Sequence, residues 1–161
     1  MKIRNKAIPA VYLILYQEDG KILMGRRFNT GYMDGHYQVP AGHIEVGELP
    51  KQTMIREAKE EIGIMLNINN LELVHISYRP KHDETDNRVD FFFCATEWLG
   101  EVRNLEPHKC DDLIWVHMSE LPEMMIPPHV RHALECVQNA VFFSELGVDF
   151  LKAHRVWMLP Y

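Results

Sequence analysis

The chain has 161 residues, 47% hydrophobic and 25% charged, which suits a single domain over residues 1–161 that is large enough to bury a core. A formal net charge of −6 argues against binding to a nucleic-acid polymer, but not against a small phosphorylated substrate, because a bound metal ion can reverse the local field. No run approaches the ~20 apolar residues needed to span a bilayer, and residues 1–10 lack the apolar core of a signal peptide, so we expect a cytoplasmic protein without membrane association.

Two strands joined by a tight turn are predicted near the N-terminus. Residues 7–16 are rich in β-forming side chains, residues 17–20 end in Asp-Gly, and residues 21–27 are again largely apolar before their basic end. An Asp-Gly pair between two such runs is a good signal for a β-hairpin. The second strand ends in Arg26 and Arg27, which on this evidence are as readily solvated edge charges as functional groups.

The next segment combines a glycine turn, an acidic loop and a helix. The chain is expected to turn sharply at Gly42, and a lone histidine in a loop, such as His43, is more often a packing or hydrogen-bonding residue than a catalytic base. Pro50 suits the first position of a helix, and Gly63 suits the left-handed position just past its end. The helix is therefore predicted over residues 50–62.

This predicted helix has an acidic face beside an apolar one. Glu57, Glu60 and Glu61 stand at i, i+3 and i+4, so their side chains fan over about 100° of one face. Like charges at this spacing repel by roughly a few tenths of a kcal/mol per pair, which a bound cation would offset. Carboxylates on one rigid face suit a hard divalent cation, Mg²⁺ first. The adjoining apolar arc is expected to pack on the core and consists of Met54, Ile55, Ala58 and Ile62.

Strands and one further helix are predicted in the second half of the chain. Residues 71–78 and 89–96 are predicted strands, and the second is so continuously apolar that burial on both faces is expected. Such a sheet implies a layered α/β arrangement. A short strand is predicted at residues 113–117, and a final helix over about residues 129–146. The apolar tail after it is expected to pack on its own domain or across a homodimer interface.

Nine residues of the central segment stand at a fixed spacing: Gly42, Glu48, Arg56, Glu57, Ala58, Glu60, Glu61, Gly63 and Ile64. This pattern resembles the complete Nudix box over residues 42–64, with only Ala58 smaller than the bulky aliphatic residue often found there. Nine defined positions at fixed spacing form a strong signal. The WxGE and NxEP pieces at residues 98–101 and 104–107 further resemble a MutT-like bacterial Nudix subgroup.

The resemblance implies a Nudix fold, in which a mixed β-sheet is sandwiched between helices, and Mg²⁺-dependent hydrolysis of a pyrophosphate bond in a nucleoside diphosphate linked to another moiety. The favoured substrate is a nucleoside triphosphate or a modified one, giving the monophosphate and pyrophosphate. It also implies metal ligands from Glu57, Glu60, Glu61 and a backbone carbonyl near Gly42, with Mn²⁺ as a substitute metal. Glu106 is a candidate additional ligand, since several Nudix enzymes place a glutamate in this loop, although loop glutamates are often merely solvated.

Catalytic roles follow for three residues of the box. Glu57 or a loop glutamate is the expected proton acceptor for the attacking water. Arg56 lies off the acidic face, so we expect it to orient a glutamate of the box such as Glu48 rather than to contact substrate.

Substrate contacts are expected from residues outside the box. In related Nudix enzymes a basic residue near the end of the second strand can reach substrate phosphates, which makes Arg26 or Arg27 a candidate. Tyr37 and Asp111 are candidate linings of the base pocket, where aromatic and polar side chains are typical.

Two alternative functions fit the same residues. Pro80 follows Ile64 by 16 positions, near where Nudix enzymes that act on ADP-ribose often carry a proline, so an ADP-ribose or nucleotide-sugar pyrophosphatase is one alternative. The other is a nucleotide sensor without catalytic activity, because a fold alone does not determine function. The intact glutamates count against the sensor.

Overall fold

The computed structural model describes residues 4–81 and 86–153, and over these it has eight β-strands, three α-helices and two short 3₁₀ helices. The strands are β1 Ala7–Leu15, β2 Ile22–Arg27, β3 Tyr37–Gln38, β4 Ala41–His43, β5 Glu72–Arg79, β6 Asn87–Ala95, β7 Cys110–Val116 and β8 Phe143–Glu145. The α-helices are α1 Pro50–Ile62, α2 Pro128–Gln138 and α3 Val148–Ala153, and the 3₁₀ helices span Ile68–Asn70 and Met118–Glu123.

The strands form two sheets. The larger has the order β4-β1-β6-β5-β8, in which β1 pairs with β6 and β5 with β8 in parallel, while the other two pairings are antiparallel. The smaller sheet is antiparallel and has the order β3-β2-β7. The mixed sheet predicted from the sequence is therefore confirmed.

Alternate residues of β1 enter two different cores, as the two faces of a strand require. One core lies under α1 and the other under α2. Burial of a large aliphatic side chain contributes about 1.5–3 kcal/mol, so both helices are held to the sheet mainly by apolar packing. The predicted layering of helix, sheet and helix is confirmed. The α1 side contains Val11, Leu13, Leu15, Met54, Ala58 and Ile62, and the α2 side contains Ala10, Tyr12, Ile14, Val130, Ala133 and Leu134.

The predicted hairpin between β1 and β2 is only one bridge long. Its turn forms, with Gly20 in the left-handed conformation at φ 82° and its N–H donating to the carbonyl of Gln17. Only Tyr16 and Ile22 pair across it, after which β2 diverges to pair with β3 and β7. The reason is burial on both faces of β2, since Met24 enters the α2-side core and Leu23 the α1-side core. The backbone hydrogen bonds of β2 are instead made within the smaller sheet, to β3 and β7.

The C-terminal helix predicted over about residues 129–146 begins where expected, but the prediction of its last residue is wrong because the helix is shorter. Helix α2 stops at Gln138, and Ala140 adopts a left-handed φ of 55° that a helix cannot accommodate. The aromatic and β-branched run that follows instead supplies β8, in which Phe143 pairs with Ile76 of β5. The predicted apolar tail lies outside the described residues from position 154 onward. None of the described helices is both long and apolar enough to cross a membrane.

Candidate active site

Helix α1 borders a cleft of about 500 Å³ and presents its acidic face to it. The helix begins at Pro50 and ends at Ile62, with Gly63 left-handed at φ 73°, as predicted. The opposite walls come from β2, β4 and the loop before β7. The residues of the cleft include five acidic and four basic side chains, which are Glu45, Glu57, Glu60, Glu61, Glu106, Arg26, Arg27, Arg56 and Lys109.

Gly42 lies in a strand and not at the predicted turn. It pairs with Val11 of β1, and its φ is not among the positive values of the chain. A Cβ atom added at Gly42 would lie 2.0 Å from Cδ of Glu57 and 2.1 Å from its Oε1. Glycine is therefore required here because the Glu57 carboxylate lies directly against the backbone of β4, and not because the chain turns.

Two carboxylates of the acidic face are deeply placed. Glu61 accepts a 3.2 Å hydrogen bond from the backbone N–H of Ala41, yet burial, followed by the charge of Glu57, raises its pKa to about 8. Burial also raises the pKa of Glu57, against the opposing effect of Arg56. Desolvation of this kind disfavours the ionised carboxylate unless a cation is nearby. Both carboxyl groups are therefore harder to ionise than an exposed glutamate.

Arg56 joins the acidic loop to the helix. Its Nε and Nη2 lie 2.7 Å and 3.0 Å from the two carboxylate oxygens of Glu48, and its Nη1 lies 2.8 Å from Glu57 and 3.1 Å from Glu60. Glu48 also accepts a 2.9 Å hydrogen bond from the Thr53 hydroxyl. The hydrogen bonds from Arg56 lower the pKa of Glu48 to about 2. The contact expected between Arg56 and Glu48 is present, and Glu48 lies behind the residues that line the cleft.

Glu106 is attached to the C-terminal end of α1. The N–H of Leu105 donates to the carbonyl of Glu61 at 2.9 Å, and the N–H of Glu106 donates to the side chain of Asn104 at 3.1 Å. Asn104 also donates to the carbonyl of Cys110 at 2.7 Å, which closes the loop. These bonds bring Glu106 into the cleft with the three helix glutamates.

Of the expected substrate contacts, two line the cleft and two lie behind them. Arg26 makes a two-pronged contact with Asp111 at 2.7 Å and 3.2 Å, and its guanidinium lies 5.8 Å from the ring centre of Tyr37. Arg27 donates to the carbonyl of Tyr32 at 2.6 Å. Both arginines line the cleft, whereas Tyr37 and Asp111 are not among its lining residues and contact Arg26 instead.

Sequence reasoning missed Lys109. Its Nζ lies 2.8 Å from Oε1 of Glu106, and it lines the cleft. The signal available in the sequence was a lysine three residues after the candidate glutamate, a spacing at which two side chains in a turn can meet.

A family model described as the NUDIX domain matches residues 6–138, which is most of the chain and includes every residue of the cleft. The chain belongs to the Nudix family.

Relatives of this Nudix chain include named hydrolases. It is 30% identical over 125 residues to an 8-oxo-dGTP diphosphatase of Haemophilus influenzae, covering 77% of this chain and 86% of that protein. It is 29% identical over 133 residues to the NAD-capped RNA hydrolase NudC of Photorhabdus laumondii, covering 83% of this chain and 47% of that protein. A MutT NUDIX hydrolase structure from Burkholderia pseudomallei matches with a TM-score of 0.73 and 24% identity, over 81% of this chain and 98% of the other.

These matches make the chain a MutT-like Nudix pyrophosphohydrolase that acts on nucleotides. They favour an enzyme over the sensor considered above, because the family members named here are hydrolases. Nudix hydrolases generally use divalent metal cations.

The donor groups of this Nudix cleft suit a hard divalent cation. Among residues 4–81 and 86–153, no three acidic, histidine or cysteine side chains form a group ready to hold a metal ion. Glu57 and Glu60 instead contact Arg56, and Glu106 contacts Lys109. Mg²⁺ requires no such cage, since it keeps several waters and binds one or two carboxylates together with substrate phosphates. Partial burial, followed by weaker effects of neighbouring carboxylates, raises the pKa values of Glu57 and Glu61, and a bound cation would favour their ionised forms. The residues therefore fit the metal.

Proposed function

We propose that this Nudix enzyme hydrolyses a nucleoside triphosphate, or one with a modified base, to the monophosphate and pyrophosphate with Mg²⁺. The observation that carries the proposal is the pair of partly buried carboxylates, Glu57 and Glu61, which share one cleft with Glu60 and Glu106. The 8-oxo-dGTP diphosphatase of similar length supports a triphosphate as substrate.

The metal ligands in this proposal are Glu57, Glu60, Glu61 and Glu106, with a backbone carbonyl near Gly42. When bound, Mg²⁺ supplies charge neutralisation on the phosphates and a water of lowered pKa. Glu57 accepts the proton of the attacking water, with Glu106 as the alternative acceptor. The oxygen of that water bonds to phosphorus, and the P–O bond to the leaving group breaks.

The remaining residues position these groups. Arg56 holds Glu57 and Glu60 from one side while Glu48 fixes its guanidinium by two hydrogen bonds. Arg26 and Arg27 bind substrate phosphates from the opposite wall of the cleft.

Two further residues act through Arg26. Asp111 pairs with its guanidinium and Tyr37 lies beneath it, so both set the orientation in which it meets the substrate.

The proposal is tested with a substrate panel at saturating Mg²⁺. The panel contains dGTP, 8-oxo-dGTP, ADP-ribose, a nucleotide sugar and a dinucleoside polyphosphate, and the products are quantified by chromatography. We expect a triphosphate to have the highest kcat/KM. A higher kcat/KM for ADP-ribose would replace the triphosphate with the alternative substrate class.

Variants test the metal ligands in the same assay. Glu60→Gln and Glu61→Gln keep the side-chain size but remove the charge, and each is expected to lower kcat by at least about 100-fold. Glu145→Gln, on the exposed strand β8, is the matched control and is expected to leave the rate unchanged. Rates near wild type for both cleft variants would show that the metal ligands are wrongly assigned.

A further inference from the structure

Lys109 is placed among the carboxylates of the cleft. Its ammonium lies 2.8 Å from Oε1 of Glu106, in a turn closed by hydrogen bonds from the N–H groups of Lys109 and Cys110 to the carbonyl of Glu106. Glu57 and Glu61 line the same cleft as Lys109. The ammonium therefore shares one cleft with carboxylates of α1 as well as with Glu106.

The other cations that line the described cleft have more fixed partners. Arg56 spans Glu48, Glu57 and Glu60 with several hydrogen bonds. Arg26 makes two bonds to an aspartate outside the cleft, and Arg27 bonds to a backbone carbonyl and a hydroxyl of its own loop. Lys109 differs from them because its one ion pair is with Glu106, and because about half of its side chain remains exposed.

We propose that Lys109 competes with the divalent cation for Glu106, and that metal binding releases its ammonium to a phosphate of the nucleotide. This inference rests on the proposed function, since it takes Glu106 as a metal ligand. Glu106 is thereby kept paired without the metal, and a positive charge becomes available to the substrate once the metal is bound. Lys109 thus affects metal affinity through Glu106, and it contacts the substrate directly once the metal is bound.

The exchange is energetically easy for a lysine. A solvent-exposed ion pair contributes little, because the attraction is screened and holding two side chains costs entropy. The flexible stem of lysine moves the ammonium at little cost, whereas a guanidinium held by a fork of hydrogen bonds does not move as freely. The metal therefore displaces Lys109 from Glu106 more readily than it displaces Arg56 from its partners.

The test measures Mn²⁺ binding to the full chain without nucleotide, by electron paramagnetic resonance. Lys109→Met removes the competing ammonium and is expected to tighten Mn²⁺ binding by about two- to fivefold. The matched control is Lys21→Met, because Lys21 also lies 2.8 Å from a carboxylate, that of Asp19, but outside the cleft. This control is expected to bind Mn²⁺ as wild type does.

A second background separates direct competition from a general field effect. In Glu106→Gln protein there is no carboxylate at position 106 for Lys109 and the metal to compete for. Adding Lys109→Met to this variant is therefore expected to leave the Mn²⁺ affinity unchanged. Equal tightening in both backgrounds would overturn the inference, and so would weaker or unchanged Mn²⁺ binding in the single variant.

Nucleotide binding provides the other half of the test. With saturating Mn²⁺, Lys109→Met is expected to bind a non-hydrolysable α,β-methylene triphosphate about tenfold more weakly, and Lys109→Arg to retain most of the affinity. Unchanged affinity in Lys109→Met would refute the release to phosphate. Wild-type protein that binds no Mn²⁺ would overturn the proposed function together with this inference. Wild-type binding that weakens in Glu61→Gln but does not respond to Lys109→Met would overturn only the inference.

Discussion

Substitution of Gly42 by alanine should separate activity from stability. The added methyl group would lie 2.0 Å from Cδ of Glu57, so that carboxylate must swing away, while alanine is compatible with the extended backbone of β4. Displacement breaks the partly buried ion pair between Glu57 and Arg56, but the carboxylate regains hydration as it moves out, so we expect a net cost of about 1 kcal/mol. Replacing glycine by alanine lowers the conformational entropy of the unfolded chain, which stabilises the folded state by about 0.4–1 kcal/mol. The two terms nearly cancel, so the free energy of unfolding should change by less than about 1 kcal/mol.

Activity should respond far more strongly, because Glu57 is a proposed metal ligand and proton acceptor. We expect Gly42→Ala to lower kcat by at least about 100-fold at saturating Mg²⁺, measured as nucleoside monophosphate release. Urea denaturation of the same samples gives the stability. Gly147→Ala is the matched control, since a Cβ there meets nothing within 4 Å and its φ is not positive. A folded Gly42→Ala enzyme with wild-type kcat would refute the reasoning.

Two other perturbations have defined outcomes. Without metal, Glu61→Gln should be more stable than wild type at pH 8 by at least about 1 kcal/mol, because Glu61, with its pKa raised to about 8, is still about half protonated in the folded state, whereas in the unfolded chain it ionises near 4.5. Wild type thus loses stability as pH rises from 4.5 to 8, and equal urea midpoints of both proteins at pH 8 would contradict this. Asp90→Asn should cost about 3–5 kcal/mol, because it leaves Arg79 buried beside no opposite charge. Glu101→Gln, in the exposed pair with Arg103, should cost less than about 1 kcal/mol, and a similar urea midpoint for both variants would count against the buried pair.

Local chemistry made α1 predictable, whereas distant pairing decided the elements that were predicted wrongly. Pro50 and Gly63 fix the two ends of the helix by their own backbone preferences, so its bounds follow from neighbouring residues alone. The prediction of a β1–β2 hairpin was wrong because β2 has apolar residues on both faces, and its sequence does not determine which strand pairs with it. The C-terminal helix was extended too far because the pairing of Phe143 with Ile76 joins residues far apart in the chain.

In the candidate site, too, features set by neighbouring residues were predictable, whereas contacts between distant residues were not. The spacing of Glu57, Glu60 and Glu61 on one helix is a property of the helix, so their common face was predictable. The approach of Lys109 to Glu106 depends on a loop conformation set by hydrogen bonds to the end of α1, and the sequence alone did not identify it. Gly42 was correctly marked as a special position, but for a turn instead of close contact with Glu57.

Several features of this site oppose the stability of the metal-free fold. Three glutamates share one face of α1 although Arg56 pairs with only two of them, Glu61 is a partly buried carboxyl whose ionisation is disfavoured, and a glycine stands in a strand where a larger residue would pair better. A divalent cation held by these carboxylates would offset the repulsion and favour the ionised form of Glu61, and a ligand that binds only the native state adds its binding free energy to folding. The proposed cation site therefore accounts for all three unfavourable features together.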